Sequence, residues 1–254
     1  MLEKFYKPVV NVSLSRVGSK QDGGYYLPNK IIKTSKKIIS CGLGSDWSFE
    51  KNLQKKNKNI KIVFYDHSIN FIFWVKSTIS YIYFFVRYRS NIKNIMIFFN
   101  YIKFFKHENI KHEKLKVTKI NNLKKKEISL NQILQKELND LILKIDIEGD
   151  EYFVLEDIVK HQKKINCLII EFHNIDKNKK KIKKFLKSIG HLKNCNISPN
   201  NSVAADNNGD PLAVEIVFIN KKFLSKKDFK KKAIPKYLPN NPYKKKIIIN
   251  FKKD

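Results

Sequence analysis

One segment near the N-terminus predicts the fold of this chain: Ile38-Ile39-Ser40-Cys41-Gly42-Leu43-Gly44-Ser45-Asp46. Two β-branched residues lead into a Gly-x-Gly sequence, and a segment of helical character, 47–53, follows directly. This order predicts a buried strand that ends near Ser40, then a sharp turn and a helix. Because glycine has no Cβ, Gly42 and Gly44 would let the backbone pass close to a bound ligand.

A second strand is predicted at 60–65, and it ends in Asp66. An acidic residue at this place is positioned to accept hydrogen bonds from ribose hydroxyls. The segment around Glu50 offers no third glycine of the dinucleotide fingerprint. The pattern therefore favours an adenosine-containing ligand without a pyrophosphate, for which S-adenosylmethionine is the candidate. An ordinary turn between strand and helix, with Asp66 on the surface, is the alternative.

A glycine-containing turn precedes this region. Asp22-Gly23-Gly24 stands before an aromatic and apolar run that ends at Pro28. Such a sequence is typical of a hairpin or an extended arm. The alternative is a loop that folds over the ligand held by Gly42 and Gly44.

A strongly apolar run leads into a group of acidic residues at 141–151, Leu-Ile-Leu-Lys-Ile-Asp-Ile-Glu-Gly-Asp-Glu. It predicts a buried parallel strand that delivers Asp146 and Glu148 at its C-terminal end. Ligands of open α/β sheets bind at the carboxyl ends of the strands. We therefore expect these acids to lie at the same edge of the sheet as Gly42 and Asp66.

The segment 166–174 repeats this geometry. It predicts another buried strand, and the period of two places Glu171 and His173 on one face. A histidine beside carboxylates at a strand end is a candidate general base near neutral pH. A structural role for His173 is the alternative.

Strands and helices alternate from 36 to 220, which predicts an α/β fold with a Rossmann-like doubly wound sheet. Further predicted elements are a strand at 116–120, a helix at 129–138 with a Ser129-x-x-Gln132 capping box, a helix at 177–189 and a final strand at 212–219. We interpret 1–254 as a single domain. It has an N-terminal arm at 1–35, a core at 36–220 with a helical insertion at 68–106, and a basic, Pro-containing tail at 221–254.

The insertion is rich in aromatic residues. Apolar residues at 71, 75, 79, 82 and 86 form one helical stripe, and a second apolar segment runs from Ile92 to Phe105. Lys76, Arg87 and Arg89 interrupt the ~18 apolar residues that a membrane-spanning helix requires. We interpret the region as two helices and expect their aromatic excess to cover the core or to form a homodimer contact, and peripheral contact with a membrane surface is the alternative.

The chain carries a formal net charge of +29. Such a charge suggests nucleic acid, an acidic glycan or an anionic membrane as a partner. The lysines are spread along the whole chain and accompany many Asn and Ile residues, which favours the codon bias of an AT-rich genome, and no specific nucleic acid is expected.

Cys41, Cys167 and Cys195 form no CxxC pair. They suggest a reduced protein without structural zinc. The first twelve residues contain no run typical of a signal peptide. The expected location is therefore cytoplasmic, with peripheral contact at the inner membrane surface as an alternative.

The segment Leu143-Lys-Ile-Asp-Ile-Glu-Gly-Asp-Glu151, followed by Val154-Leu155, resembles the FkbM-like family of S-adenosylmethionine-dependent O-methyltransferases. Further segments are similar to a subgroup of that family, namely Asp22-Gly23-Gly24-Tyr25, 38–50, Asn200-Asn201 and the Pro-rich tail at 235–242. The resemblance touches most of the chain except 70–110.

The resemblance implies a class I methyltransferase fold of seven strands, with the last strand antiparallel. It implies methyl transfer from S-adenosylmethionine, with S-adenosylhomocysteine as product, to a hydroxyl of a sugar or glycoconjugate in surface polysaccharide or related biosynthesis. The candidate cofactor-binding residues are Gly42, Gly44, Ser45, Asp46, Asp66, Asp22, Gly23 and Gly24. One departure is Ser40, because many class I enzymes have an acid at this position.

Asp146, Glu148 and His173 are the candidate catalytic residues, either as the base that takes the hydroxyl proton or as groups that hold the acceptor. A divalent metal could instead activate the hydroxyl, since Asp146, Glu148 and Glu171 offer hard oxygen ligands. The same acids could also cap the following helix or bind the adenosine. A non-catalytic basic protein that binds nucleic acid or an anionic membrane is the rival interpretation.

Overall fold

The computed structural model describes residues 1–20, 22–88, 96–230, 233–237 and 240–252, except for the side chain of Tyr88. Its strands are β1 (Leu14–Gly18), β2 (Gly24–Pro28), β3 (Lys37–Cys41), β4 (Lys61–Tyr65), β5 (Ile110–Glu113), β6 (Lys116–Thr118), β7 (Glu127–Ser129), β8 (Leu141–Ile145), β9 (Ile165–Phe172), β10 (Leu192–Pro199) and β11 (Val214–Asn220). Its α-helices are α1 (Asn29–Thr34), α2 (Ser48–Lys56), α3 (Phe71–Tyr88), α4 (Ile97–Phe105), α5 (Leu130–Gln135), α6 (Leu155–His161), α7 (Ile175–Ser188) and α8 (Lys226–Lys230).

A seven-stranded sheet in the order β10-β11-β9-β8-β3-β4-β5 forms the centre of the molecule. The strands from β9 to β5 in this order are parallel to their neighbours, whereas β11 is antiparallel to both β9 and β10. The chain starts the sheet at β3 and builds outward in both directions, first to β4 and β5 and later to β8 and β9. This order confirms the predicted Rossmann-like class I methyltransferase fold with an antiparallel last strand.

Both faces of the sheet are covered, because the central strands carry apolar residues on both sides. Ile39 and Leu143 face a core closed by α5, α6 and α7. Ile38 and Ile142 face a second core, which receives α1, α2 and the β1–β2 hairpin. The hairpin confirms the first interpretation of the Asp-Gly-Gly segment. The two layers hold the carboxyl ends of β3, β4, β8 and β9 at one open edge.

The helical insertion joins the second core through a few large side chains. Trp74 of α3 and Phe104 of α4 are buried, and both pack against Trp47 with ring centroids 6.3 and 6.4 Å apart. The predicted stripe behaves differently, since its members at 71, 75, 79, 82 and 86 are all exposed. Part of the aromatic excess thus covers the core as expected, whereas the stripe does not. Arg89 and residues 92–95 of the second predicted segment lie outside the described residues.

Two further sequence interpretations differ from the structure. The segment predicted as a strand at 116–120 forms the short β6, which pairs with β7 and not with the main sheet. The helix predicted at 129–138 is shorter, because α5 ends at Gln135. Its N-cap is as predicted, since Ser129 Oγ accepts the backbone N–H of Gln132 at 3.2 Å.

The C-terminal tail returns to the body of the domain. Ile247 and Ile249 are buried, and the backbone N–H of Leu2 donates to the carbonyl of Asn250. Residues 240–243 reach the open edge of the sheet. Pro239, part of the predicted Pro-rich segment, lies outside the described residues. Within the described helices, none combines the length and the apolar character needed to cross a membrane.

Candidate functional site

A cleft with a volume of about 1000 Å³ opens at the carboxyl edge of the sheet. It lies at the switch point between β3 and β8, where the order of successive strands along the sheet reverses and open α/β sheets bind ligands. Small-molecule sites measure about 300–1,000 Å³, so this cleft is at the upper end of their range. The candidate residues that line it are Asp22, Gly23, Gly42, Gly44, Ser45, Asp46, Asp66, Asp146 and Glu148. Gly24 and His173 are outside this lining.

The glycine turn after β3 has the backbone that the sequence suggested. Gly42 has a φ of +89° and Gly44 a φ of +58°, conformations that favour glycine. A Cβ at position 42 would overlap the carbonyl oxygen of Asp146. A Cβ at position 44 would meet nothing within 4 Å and would project into open space. Gly42 is thus needed for close contact between β3 and β8, while Gly44 leaves the cleft wall bare.

Asp66 ends β4 beside this turn, as predicted, but its carboxylate is already engaged. Oδ2 accepts the N–H groups of Leu43 and Gly44 at 2.8 and 3.3 Å. Oδ1 accepts the N–H and the hydroxyl of Ser68 at 2.7 and 2.6 Å. Burial opposes ionisation, yet these hydrogen bonds together lower the pKa of Asp66. The residue therefore holds the glycine turn and stays ionised beside the cleft.

The loop between β1 and β2 forms a second wall of the cleft. A Cβ on Gly23, whose φ is +85°, would collide with the carboxylate of Asp46. Asp46 Oδ1 in turn accepts the N–H of Ser48 at 2.7 Å, at the start of α2. Burial, together with nearby Asp146, raises the pKa of Asp22. The loop thus packs on the helix after the glycine turn, which agrees with a loop that borders the ligand site.

Asp146 follows β8 and is held by two residues that the sequence analysis did not single out. The hydroxyl of Tyr25 donates to Asp146 Oδ2 at 2.8 Å. Lys144 Nζ lies 3.6 Å from the same oxygen and donates to the carbonyl of Gly42 at 3.1 Å. Burial disfavours the charged form of Lys144, but Asp146 and Glu50 outweigh it, and the pKa of Lys144 is raised. A lysine inside an apolar strand was the signal in the sequence.

Glu148 and His173 meet at the same edge. Glu148 has a φ of +54°, and its side chain is 87% exposed in the cleft. Its Oε2 lies 3.5 Å from Nε2 of the nearly buried His173, and the same nitrogen lies 3.5 Å from Glu171 Oε1. Burial opposes the charged imidazole, but Glu151 and the neighbouring acids raise the pKa of His173. The structure thus brings two of the predicted catalytic residues together: Glu148 is exposed in the cleft, and His173 is nearly buried next to it.

At position 40, where many class I enzymes have an acid, Ser40 contacts an acid from another element. Ser40 Oγ donates to Glu50 Oε1 at 2.6 Å, and both residues are buried. Glu50 comes from α2, one turn into the helix that follows Gly44. A carboxylate therefore stands beside position 40, although it is supplied from a different element.

The charge of the cleft is opposite to that of the chain. Within the part of the chain that the structure describes, the cleft is lined by two lysines, Lys116 and Lys144, and by six acidic residues, namely Asp22, Asp46, Asp66, Asp146, Glu148 and Asp150. The chain as a whole has 52 Lys and Arg residues and 23 Asp and Glu residues. A site with this bias attracts a cationic ligand and repels a polyanion. The surplus of lysine thus lies outside the cleft.

Two more carboxylates lie beneath the cleft floor. Glu171 accepts Asn200 Nδ2 at 2.7 Å, and Glu215 accepts Asn240 Nδ2 at 2.9 Å. Burial, reinforced by Asp146 and Glu215, raises the pKa of Glu171 well above its ordinary value. Burial also raises the pKa of Glu215, to about 8. Both asparagines come from outside the parallel strands, so the last turns and the tail complete this polar layer.

The raised pKa of Glu215 predicts a pH-dependent stability. A raised pKa means that the neutral acid favours the folded state, so this stability is present below about pH 4.5 and is lost as the pH rises to about 8. Glu215→Gln keeps an acceptor for Asn240 and stays neutral. We expect the variant to match the wild type near pH 4.5 and to exceed its unfolding free energy by about 2–4 kcal/mol at pH 8. Urea denaturation across this range measures the difference, and a difference independent of pH would contradict the assignment.

Asp146, Glu171 and His173 form a set that could hold a divalent cation. One ligand atom from each lies within 4.8 Å of the others. Carboxylate oxygens with one imidazole suit Mn²⁺ or a similar ion. The sequence suggested Asp146, Glu148 and Glu171 as the ligands. In the structure His173, and not Glu148, completes the set with Asp146 and Glu171, because Glu148 lies in the cleft.

Comparisons with known proteins give distant similarities. No protein-family model matches this sequence, and no curated protein matches it. Among solved structures, the chain is similar to the Methanococcus jannaschii fibrillarin pre-rRNA processing protein, with 12% identity, coverage of 74% of this chain and 68% of that chain, and a TM-score of 0.40.

Two further structures are named as methyl-transferring enzymes. The precorrin-6y C5,15-methyltransferase of Geobacter metallireducens has 11% identity, coverage of 74% and 82%, and a TM-score of 0.39. An rRNA methylase of Streptococcus thermophilus has 8% identity, coverage of 75% and 90%, and a TM-score of 0.41. Similarities this distant do not indicate the substrate or the reaction of this chain.

Proposed function

We propose that this protein is an S-adenosylmethionine-dependent O-methyltransferase of the FkbM-like type, which acts on a hydroxyl of a sugar or glycoconjugate. The observation that carries the proposal is the acidic cleft of a strongly basic chain, built around a glycine turn at the switch point of the sheet. A sulfonium donor is cationic, so an excess of carboxylates around it is favourable. A Rossmann-like sheet alone would not support this conclusion, because the same fold hosts many functions.

The residues around the glycine turn fit such a donor. Gly44 leaves the wall of the cleft open, so a ligand can approach the backbone there. Asp66, with its lowered pKa, presents an ionised carboxylate at the end of β4. All four of its hydrogen bonds are made to the protein, and a ribose hydroxyl would have to share or replace one of them. Asp66 would then both shape the turn and bind the donor.

The character of the cleft also bears on the acceptor. Its acidic lining is unfavourable for a polyanion such as nucleic acid and suits a neutral hydroxyl compound. When bound, S-adenosylmethionine supplies an electrophilic methyl group. The chain has to orient the hydroxyl and take its proton, and Glu148, which lines the cleft with an 87% exposed side chain, is the candidate for this role. His173 Nε2 lies 3.5 Å from Glu148 Oε2 and helps to position this carboxylate.

Donor binding tests the proposal. Isothermal titration of the full chain with S-adenosylmethionine or S-adenosylhomocysteine should show one site. Asp66→Ala should weaken binding by about 1.5–3 kcal/mol, the range for a hydrogen bond to a charged group. Asp157→Ala is the matched control, since Asp157 also accepts a backbone N–H, from Asn131, but is not part of the cleft. Absence of binding by the wild type would favour the rival, non-catalytic basic protein.

A further inference from the structure

The helical insertion presents an apolar surface that the fold leaves uncovered. We call this surface the insertion face. It comprises the exposed apolar residues of α3 and α4, namely Phe71, Ile72, Val75, Ile79, Ile82, Tyr83, Phe84, Phe85, Val86, Phe99 and Ile102. Three of them, Phe71, Ile79 and Val86, are 74%, 63% and 76% exposed. Exposed apolar residues that gather on two neighbouring helices in this number mark interaction sites in soluble proteins.

The opposite side of the same helices is anchored in the core. Trp74 packs on Trp47 with ring centroids 6.3 Å apart, and Phe104 packs on Phe64 at 6.3 Å. These contacts involve the residues that are most buried in each helix. The helices are therefore seated on the domain, and the exposure of the insertion face follows from the way they are seated.

The charge of the insertion indicates what covers this face. Residues 67–107 contain six Lys and Arg residues and no Asp or Glu. Lys76 on α3 and Lys103 on α4 are exposed beside the apolar residues. Aromatic and apolar residues flanked by cations are typical of helices that lie in the interface of an anionic bilayer. A second copy of the chain fits less well, because a two-fold contact would bring the same cations together.

The insertion also borders the cleft. Ile69, just before α3, and Phe73 within it line the cavity. A bilayer surface in contact with α3 would therefore lie next to the entrance of the acidic cleft. An acceptor carried by a lipid would then have its sugar near the acids and its phosphate near the cations of the insertion.

We propose that α3 and α4 dock on an anionic membrane surface, and that the acceptor is presented there on a lipid. The statement about the acceptor rests on the function proposed above, whereas the docking does not. The anionic partner is the bilayer surface itself. The insertion face makes the apolar contacts with it, and Lys76 and Lys103 make the cationic contacts.

Vesicle flotation tests the docking. The full chain should bind vesicles of phosphatidylcholine with phosphatidylglycerol, and binding to phosphatidylcholine alone should be much weaker. The variant Phe71→Ser/Ile79→Ser/Val86→Ser should lose about tenfold or more of the binding, because the buried apolar area drives insertion. Lys76→Gln and Lys103→Gln should each lower binding to anionic vesicles about fivefold, and added salt should do the same.

A matched control removes apolar residues elsewhere. Leu123, Leu138 and Ile234 are as exposed as the three mutated positions but lie outside the insertion. Leu123→Ser/Leu138→Ser/Ile234→Ser should bind vesicles like the wild type. Equal losses in both triple variants, or no wild-type binding to anionic vesicles, would overturn the proposal. Light scattering that shows a dimer of the wild type and a monomer of the insertion variant, without vesicle binding, would assign the face to a second copy.

The two proposals can fail separately. Donor titration on the same preparations reports the cleft, while flotation reports the insertion face. Vesicle binding without donor binding would refute the methyltransferase assignment and leave the docking standing. Donor binding without vesicle binding would refute the docking alone.

Discussion

Gly42→Ala should be among the most destabilising single substitutions in this protein. The new Cβ would overlap the carbonyl oxygen of Asp146, and it would be attached to a residue whose φ is +89°. Both effects act at the junction of β3 and β8, in the centre of the sheet. We expect a loss of about 3–5 kcal/mol in the free energy of unfolding, because backbone strain and overpacking act together at this position. Urea denaturation measures it directly.

Gly44→Ala provides the control for this result. Gly44 also has a positive φ, but a Cβ there would meet no atom of the protein. The cost to stability should stay near 1–2 kcal/mol, the usual penalty for a left-handed residue. Its effect should appear instead in donor titration, as a loss of about tenfold or more, since the Cβ projects into the cleft. Equal destabilisation by both variants would contradict the contact between Gly42 and Asp146 as the cause.

The carboxyl edge of the sheet was predictable because its residues have local signatures. The glycine turn needs two residues that tolerate positive φ, and Asp66 follows a clear apolar strand. Asp146 and Glu148 are polar residues directly after a run that only a buried strand explains. These are patterns of the chain itself, and the rules for parallel sheets then place them side by side.

Two strands of the sheet were not predicted, for opposite reasons. β5 has four residues, Ile-Lys-His-Glu, and lies at the edge of the sheet, so Ile110 alone is fully buried. β10 is long but polar. Asn194 and Asn196 are buried in it and bond to the carbonyls of Tyr6 and Lys236. Such distant partners leave no trace in the local pattern of polar and apolar residues.

The insertion shows the limit of periodicity. Its stripe at helical spacing predicted a helix, and a helix is present at 71–88. Periodicity does not show which face is covered, because a partner or a membrane can replace the core. Trp74, outside the stripe, is the residue that faces the domain.

The polar contacts of Asp146 and Ser40 could also not be predicted from the sequence. Tyr25 comes from the β1–β2 hairpin and Lys144 from β8, and they meet only at Asp146. Glu50 reaches Ser40 across the turn. Apart from Lys144, which interrupts an apolar strand, these residues have ordinary neighbours along the chain. Their function as a group depends on contacts that form when the fold is complete.

A chelator experiment separates two forms of catalysis at this edge. If the set of Asp146, Glu171 and His173 holds a divalent ion, methyl transfer should stop with EDTA and return with Mg²⁺ or Mn²⁺. If a side chain alone takes the proton, the chelator should leave the rate unchanged. Donor titration in the presence of EDTA is the control for loss of the fold.

Glu148→Gln should lower the rate of methyl transfer by roughly 10²–10⁴-fold while donor affinity stays near normal. The reason is positional: Glu148 lines the cleft, its side chain is 87% exposed, and His173 Nε2 stands 3.5 Å behind it. Glutamine keeps the size and the strained backbone but cannot take a proton. Single-turnover rates with donor in excess, measured on a sugar acceptor that the wild type methylates, give the ratio.

Glu156→Gln is the matched control, because Glu156 is an exposed acid on α6 outside the described lining of the cleft. His173→Gln should have a smaller effect on the rate than Glu148→Gln, since the imidazole lies 3.5 Å from the Glu148 carboxylate and acts through it. A rate for Glu148→Gln equal to that of Glu156→Gln would remove Glu148 as the base and leave Asp146 as the remaining acid at the cleft end of β8.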